Sequence, residues 1–402
     1  MKLRAFALIV TLTLGLLAAP FAADAQRRDR RSPYWPTEDW RSSTPEEQGV
    51  DSERLAAMFE EIQNRRLNLC SVLIIRNGYM VVEAYFGNCR KTKLIRISSV
   101  TKSITSALVG IALDKGYIDG VHQGILDFFP EKTVSNPDLR KQAMTLEHLL
   151  TMTTGLNWPE FPNGVAQLKA SQDWVQFVLD RPMTDEPGTK WNYNTGASHL
   201  LSAIIQRTTR MTALSFAEQH LFGPLGISDV VWLSDPQGIS NAGWGLRMTS
   251  RHMAKFGYLY LNHGMWGEKR VVPEEWVKVS TKKHAQPPSS VRRDVDGYGY
   301  QWWTNSGPPY RYVALGFAGQ VIWVSPALQM LAVLTGYWNY PDELGPLVRN
   351  IIRAARSSGP LLENSHGVEL LESRIKELRR HIPFREREPW RGPYRHRSAN
   401  RP

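Results

Sequence analysis

Strand-forming patterns stand at the two ends of this chain and nearly vanish between them. Near the start, Val72-Leu73-Ile74-Ile75, Asn77-Gly78 and Met80-Val81-Val82 spell a hairpin, two apolar β-forming runs around a tight-turn pair. After about Asp296 strands return: Gly297–Trp303, Tyr312–Phe317, Gln320–Val324 and Met330–Thr335 read as successive antiparallel strands, and Pro341–Ala355 reads as a closing helix. Between them helical spacing recurs at Leu146–Met152, Trp174–Asp180, Ser198–Arg207, Ser215–His220 and Ser250–Asn262, with turn signals such as Gly155, Glu186-Pro187-Gly188 and Gly223-Pro224 in the gaps. The expected fold class is therefore α/β in the α+β sense: an antiparallel sheet flanked by helices and built from both chain ends, with a helical insert over about 118–285.

A helix opening at Ser99-Val100-Thr101-Lys102 follows the hairpin. Ile104, Ala107, Leu108, Ile111 and Ala112 share one face, which belongs in a core, and Asp114-Lys115-Gly116 reads as its stop. Ser99 then sits at a helix N-terminus, where free N–H groups favour a developing negative charge. Lys102 lies one turn on, over the same face. A serine hydroxyl becomes a nucleophile when a neighbour takes its proton, and an amine held out of water does that. The plain alternative is a helix cap beside a surface lysine. Ser-x-x-Lys recurs at Ser280–Lys283 and Ser373–Lys376, but in polar surroundings that read as solvated faces. An earlier helix is expected over Asp51–Gln63, capped by Asp51 or Ser52, with Leu55, Met58, Phe59 and Ile62 inward.

With 402 residues the chain can bury a large core. Lys2 and Arg4 precede an apolar run from Ala5 to Ala19, and Ala23-Asp24-Ala25 offers small residues for cleavage. Residues 1–25 thus read as a signal peptide, and a periplasmic or secreted location is expected; an uncleaved anchor is the alternative. Residues 26–43 read as a basic, irregular lead-in, 44–356 as the folded body and 357–402 as a basic, loosely ordered tail. The formal charge of +11 is peripheral: +3 lies in Arg27–Arg31 and +6 in residues 372–402, leaving the body near neutral. Nucleic acid is therefore not an expected partner. Cys70 and Cys89 bracket the hairpin, so a disulfide is open in an oxidising compartment, although a turn at Asn77-Gly78 sets Cys70 opposite about Tyr85. No His or Cys cluster has metal-ligand spacing, and no metal or other cofactor is expected.

Two later stretches bear on the Ser99 helix. Trp191-Asn192-Tyr193-Asn194-Thr195-Gly196 is a tight loop ahead of an apolar helix. Tyr193 is either a core tyrosine or a phenol beside Lys102 that carries protons to and from Ser99. Gly316-Phe317-Ala318-Gly319-Gln320 lies in the late strands, where glycine marks either a bulge or close approach of a ligand. On the second reading the N–H groups of Ser99 and Gln320 form an oxyanion hole. Thr195, Trp191, Phe317, Gly319, Trp302 and Trp303 are candidates to line a pocket, with core packing the alternative for the aromatics. His148 reads as structural.

In this order the three motifs resemble those of the serine β-lactamase and penicillin-binding-protein superfamily, in particular the class C β-lactamase-related hydrolases. Pro45–Asp51, Thr145–Gly155 and Gly297–Trp302 add to the likeness, which runs from about Thr44 to Ala355. The resemblance implies a site between the sheet domain and the helical region, with Ser99 as nucleophile and Lys102 and Tyr193 as its proton-transfer network. It departs at Thr195, where the family usually has Asn, and at Phe317-Ala318-Gly319, where a Lys or His would hold a carboxylate. That shifts the likeness toward the 6-aminohexanoate-dimer-hydrolase-like and esterase-like branch. The expected activity is hydrolysis of a small-molecule or peptide-like ester or amide. The alternatives are a β-lactamase or D,D-carboxypeptidase, and a catalytically silent envelope protein that binds peptidoglycan.

Overall fold

The computed structural model describes residues 34–291, 294–338 and 340–381; the signal-peptide reading lies outside them. From Trp35 onward the chain is one compact unit. Its centre is a seven-stranded antiparallel sheet of strands β1 (Leu69–Arg76), β2 (Tyr79–Tyr85), β3 (Gly297–Tyr298), β4 (Trp303–Asn305), β5 (Arg311–Gly316), β6 (Gln320–Ser325) and β7 (Met330–Gly336). The spatial order is β2-β1-β7-β6-β5-β4-β3, so the hairpin from the first part of the chain joins the sheet through β7. Ile74 pairs with Ala332 and Ile75 with Leu331 across that seam.

The helices that position the site are α1 (Ser52–Asn64), α2 (Val100–Asp114), α3 (Leu146–Leu150), α4 (Thr195–Thr209), α5 (Ser250–Leu261), α6 (Glu274–Thr281), α7 (Tyr340–Ala354) and α8 (Ser365–His381). Alternation along the strands feeds two cores. Leu73, Ile75, Ile322 and Val324 face α2 and α5, while Val72, Ile74, Val321 and Trp323 face α1, α7 and α8. Asp51 caps α1 by accepting from the Arg54 N–H at 3.0 Å. Helix α2 is buried on every side from Val100 to Ala112, more than its single apolar stripe implies. A side chain at Gly110 would fall 2.2 Å from the Trp276 ring of α6, so the two helices touch there through glycine. Gly116, in the left-handed region at φ +72°, ends the turn beyond α2.

Three expectations need correction. The tail is not loose where it is described: α8 packs on α1 and buries Leu371 and Leu378, with Leu370 and Ile375 partly covered beside them. Its many charges conceal an apolar stripe at helical spacing. Leu378→Ala is expected to cost about 2–4 kcal/mol, read as a lower urea midpoint at unchanged slope. Second, Gly297–Trp303 is not one strand. The chain reverses at Gly299–Gln301, the Gly299 N–H donates to the Trp302 carbonyl at 2.7 Å, and Tyr298 comes to pair with Trp303. A side chain at Gly299 would meet the Ser280 carbonyl at 2.2 Å, so the turn lies against the end of α6. Third, Ser280 is not on a solvated face; it is fully buried on α6.

Cys70 and Cys89 form a disulfide, with Cα atoms 5.5 Å apart. A register shift between Ile74 and Ile75 sets Tyr85 opposite Ser71 rather than Cys70. The chain then folds back through Phe86, whose N–H donates to the Cys70 carbonyl, and the Cys89 N–H donates to Phe86. In the lead-in, Trp40 is buried against the helical core, and Arg41 and Ser43 bond Met80 of β2. No helix among the described residues is long and apolar enough to cross a membrane.

Candidate active site

Ser99 stands at the N-cap of α2, half-buried, and its side chain makes no capping hydrogen bond. The residue before it, Ser98, is held in the left-handed region at φ 49°, and the Thr101 hydroxyl fastens it by donating to the Ser98 carbonyl at 2.6 Å. A tight bend of this kind turns the start of the helix toward the cleft. One turn on, Lys102 is 1% exposed. Its Nζ lies 3.2 Å from Ser99 Oγ, 3.1 Å from Thr195 Oγ1 and 2.7 Å from the Gly243 carbonyl oxygen. Burial pulls the Lys102 amine down to about 8, against an opposing pull from the Glu160 carboxylate.

Tyr193 enters from the loop before α4. Its ring centroid is 5.0 Å from Lys102 Nζ, and it stacks on Trp303 of β4 at 6.0 Å. The loop is pinned from behind. Met152, at φ 62°, accepts the Asn192 N–H at its carbonyl and the Asn194 N–H at its sulfur, and Asn194 caps α4 by accepting from Ala197 N–H at 2.8 Å. Thr195, the first residue of α4, is 2% exposed. Gly243 has to be glycine, because a side chain there would lie 2.5 Å from the Thr195 methyl group.

The far wall is the turn between β5 and β6. Gly316 pairs with Gln320 across it, leaving Phe317-Ala318-Gly319 as the loop. A side chain at Gly316 would strike the Ile97 carbonyl at 2.3 Å and lie 3.1 Å from the Ser98 β-carbon, so the sheet edge closes directly on the bend before Ser99. Gly319, at φ +92°, lies against Trp338; an added β-carbon would be 2.1 Å from its indole nitrogen. Gln320 donates its side-chain amide to the Gly336 carbonyl at 2.6 Å, which fixes the first residue of β6 at this edge.

Ser99, Lys102 and Tyr193 are thus brought together, with the Gln320 strand edge across from them. The pocket candidates divide. Thr195 touches Lys102, and Phe317 is 58% exposed at the rim. Trp191 is buried in a cluster with Tyr193, Tyr298 and Trp303. Trp302 is a correction: it is fully buried among Phe256, Tyr260 and Tyr312, on the helical side of the sheet. Trp302 and Trp303 are consecutive where the chain returns to the sheet, so pleat alternation sends their rings to opposite faces. His148 caps α3, its Nδ1 accepting from Thr145 N–H at 3.0 Å.

Sequence reasoning missed Glu160, Gly243 and Gln301. The Glu160 carboxylate accepts from the Thr195 hydroxyl, the Thr195 N–H at 3.0 Å and Trp158 Nε1 at 2.5 Å. Gln301, at φ 64°, accepts from Ser103 and Ser198 and donates to the Leu149 and Leu150 carbonyls, tying α2, α3 and α4 together under the site. The run Asn241-Ala242-Gly243-Trp244-Gly245 marks a turn in the sequence, but nothing in it singles out the Gly243 carbonyl.

A sheet of this order, covered by helices on both faces and with a Ser-x-x-Lys helix opening at its edge, is the β-lactamase and transpeptidase-like fold. The Beta-lactamase family profile matches residues 55–356, and the chain belongs to that family. It is 22% identical over 320 residues to 6-aminohexanoate-dimer hydrolase of Paenarthrobacter ureafaciens, covering 75% of this chain and 81% of that one. Among solved structures, EstCE1, a hydrolase with promiscuous acyltransferase activity, matches with a TM-score of 0.63 at 14% identity, over 76% of this chain and 99% of its own. The octameric penicillin-binding protein homologue from Pyrococcus abyssi matches with a TM-score of 0.60 at 16% identity, over 76% and 78%. The structural likenesses speak for a shared fold.

Proposed function

We propose that the protein is a periplasmic or secreted serine hydrolase that cleaves an ester or amide through an acyl-enzyme on Ser99. The observation that carries this reading is a lysine amine, buried and lowered toward neutrality, in hydrogen-bond contact with a serine at a helix N-terminus. Ser99 Oγ attacks the carbonyl carbon while Lys102, with Tyr193 beside it, takes the proton. The Ser99 and Gln320 N–H groups hold the oxyanion, and the proton returns to the leaving group. Water then repeats the sequence and frees the acid. Phe317 puts an exposed ring where a carboxylate-binding cation would stand, which favours neutral esters and amides over penicillins and D-alanyl peptides. The named activities of the relatives, hydrolysis of an amide dimer and acyl transfer, point the same way. The Cys70–Cys89 bridge fits an oxidising compartment.

Treatment with a fluorophosphonate tests this. The adduct is expected on the tryptic peptide Ile97–Lys102, with fragment ions placing it on Ser99. An adduct elsewhere overturns the assignment to Ser99, and none with this probe and several reactive esters overturns the enzyme reading and leaves a binding protein.

A further inference from the structure

Beside the Tyr193 ring, Lys102 makes hydrogen bonds to Ser99, Thr195 and Gly243, and the last two can only accept from it. The Gly243 carbonyl has no proton to give. The Thr195 hydroxyl has one, but it is committed to Glu160, a carboxylate on which two further donors converge, the Thr195 N–H and Trp158 Nε1. A neutral amine has two hydrogens and one lone pair. With one hydrogen on Gly243 and the other on Thr195, the lone pair is left for the third neighbour, Ser99 Oγ, whose proton it has to receive.

We propose that Glu160 is a positioning residue for the Ser99 reaction: by fixing the Thr195 hydroxyl as an acceptor, it turns the lone pair of neutral Lys102 toward Ser99. The inference rests on the serine-hydrolase reading above. Without the carboxylate, the Thr195 hydroxyl is free to rotate and donate to that same lone pair, so the base becomes occupied. Glu160→Gln makes this reversal the favoured arrangement. The amide oxygen has to stay with the two N–H donors, so the amide NH₂ faces Thr195 Oγ1 and the Thr195 proton turns to Lys102.

The carboxylate also acts by charge. It favours the ammonium form of Lys102, so its removal shifts the amine toward neutrality and moves the acid limb of the rate profile to lower pH. The Tyr193 phenol also stands beside Lys102, and the Tyr298 ring packs against Tyr193. His199 and Asp235 pair with each other at 3.0 Å, buried further along α4. Glu274, Glu275 and Lys278 on α6 pair at the surface. Lys169 and Arg96 act on each other.

The experiment measures kcat, KM and their pH dependence on a chromogenic short-chain ester for wild type, Glu160→Gln, Thr195→Ser and Thr195→Val, with thermal unfolding of each. Glu160→Gln is expected to lose at least ~10-fold in kcat with little change in KM. Its acid limb should move ~1 unit to lower pH. A merely structural role would lower the active fraction and leave the limb in place. Thr195→Ser should stay near wild type and Thr195→Val should lose kcat as Glu160→Gln does. Wild-type kcat or an unmoved limb in Glu160→Gln overturns the inference; should that variant fail to fold, wild-type kcat in Thr195→Val does so. These failures leave the parent reading intact, which falls only if fluorophosphonate does not label Ser99 of the wild type.

Discussion

Ester hydrolysis by the Ser99→Ala variant is expected to fall at least ~1000-fold, with folding stability unchanged within ~0.5 kcal/mol. The two halves of this result separate the two readings of the residue. A helix cap lost to alanine costs about 1 kcal/mol, but the Ser99 hydroxyl bonds no backbone N–H of α2, so there is no cap to lose. What alanine removes is a hydroxyl in contact with Lys102 whose proton is not committed elsewhere as that of Thr195 is to Glu160. On the proposed reading, residual turnover would come from the N–H groups of Ser99 and Gln320, which would still stabilise an oxyanion formed by water. Kinetic assays with urea unfolding of the same preparation check both halves; full activity in the variant would remove Ser99 from the reaction.

The second large effect is a dependence on the charge of Lys102. The amine takes a proton only when neutral, so kcat/KM is expected to rise about tenfold per pH unit below about 8 and to level off above it. Burial sets the direction: taking a lysine out of water penalises the ammonium form, and this one is nearly inaccessible. Lys102→Ala should cost at least ~100-fold. Lys102→Arg should be no better, because a guanidinium stays charged throughout the accessible range and cannot act as a base. A rate that is flat from about pH 6 to 9 would show that the amine is not the proton acceptor.

How much of this was visible in the residues differs from one part of the site to the next. Ser99 and Lys102 are one helical turn apart, so local periodicity alone places them together. The sheet built from both chain ends was legible because apolar strand runs have to find partners, and the described strands lie within a residue or two of their expected bounds for Tyr312–Phe317, Gln320–Val324 and Met330–Thr335. Glu160 and Gly243 were not legible. Each reaches Lys102 through a tertiary path, one by way of Thr195 and the other through a backbone carbonyl that any residue possesses. Trp302 and Trp303 were taken together because neighbours look alike from composition, whereas consecutive residues of extended chain face opposite sides of the sheet, and it is Trp303 that stacks on Tyr193. The α8 helix was hidden by its own charges, whose density drowns a stripe of only four aliphatic side chains.

The seam between β1 and β7 sets a condition on synthesis. Leu69 lies opposite Gly336, so a nascent chain emerging from the ribosome holds a largely apolar eight-residue ribbon with one flank open until nearly everything downstream has been made. Pairings this remote in sequence close slowly, and an uncovered ribbon edge invites strands from other molecules. Fragments ending before residue 330 keep that flank bare however well their helices form, so C-terminal truncation should yield aggregates rather than a smaller, partly active body.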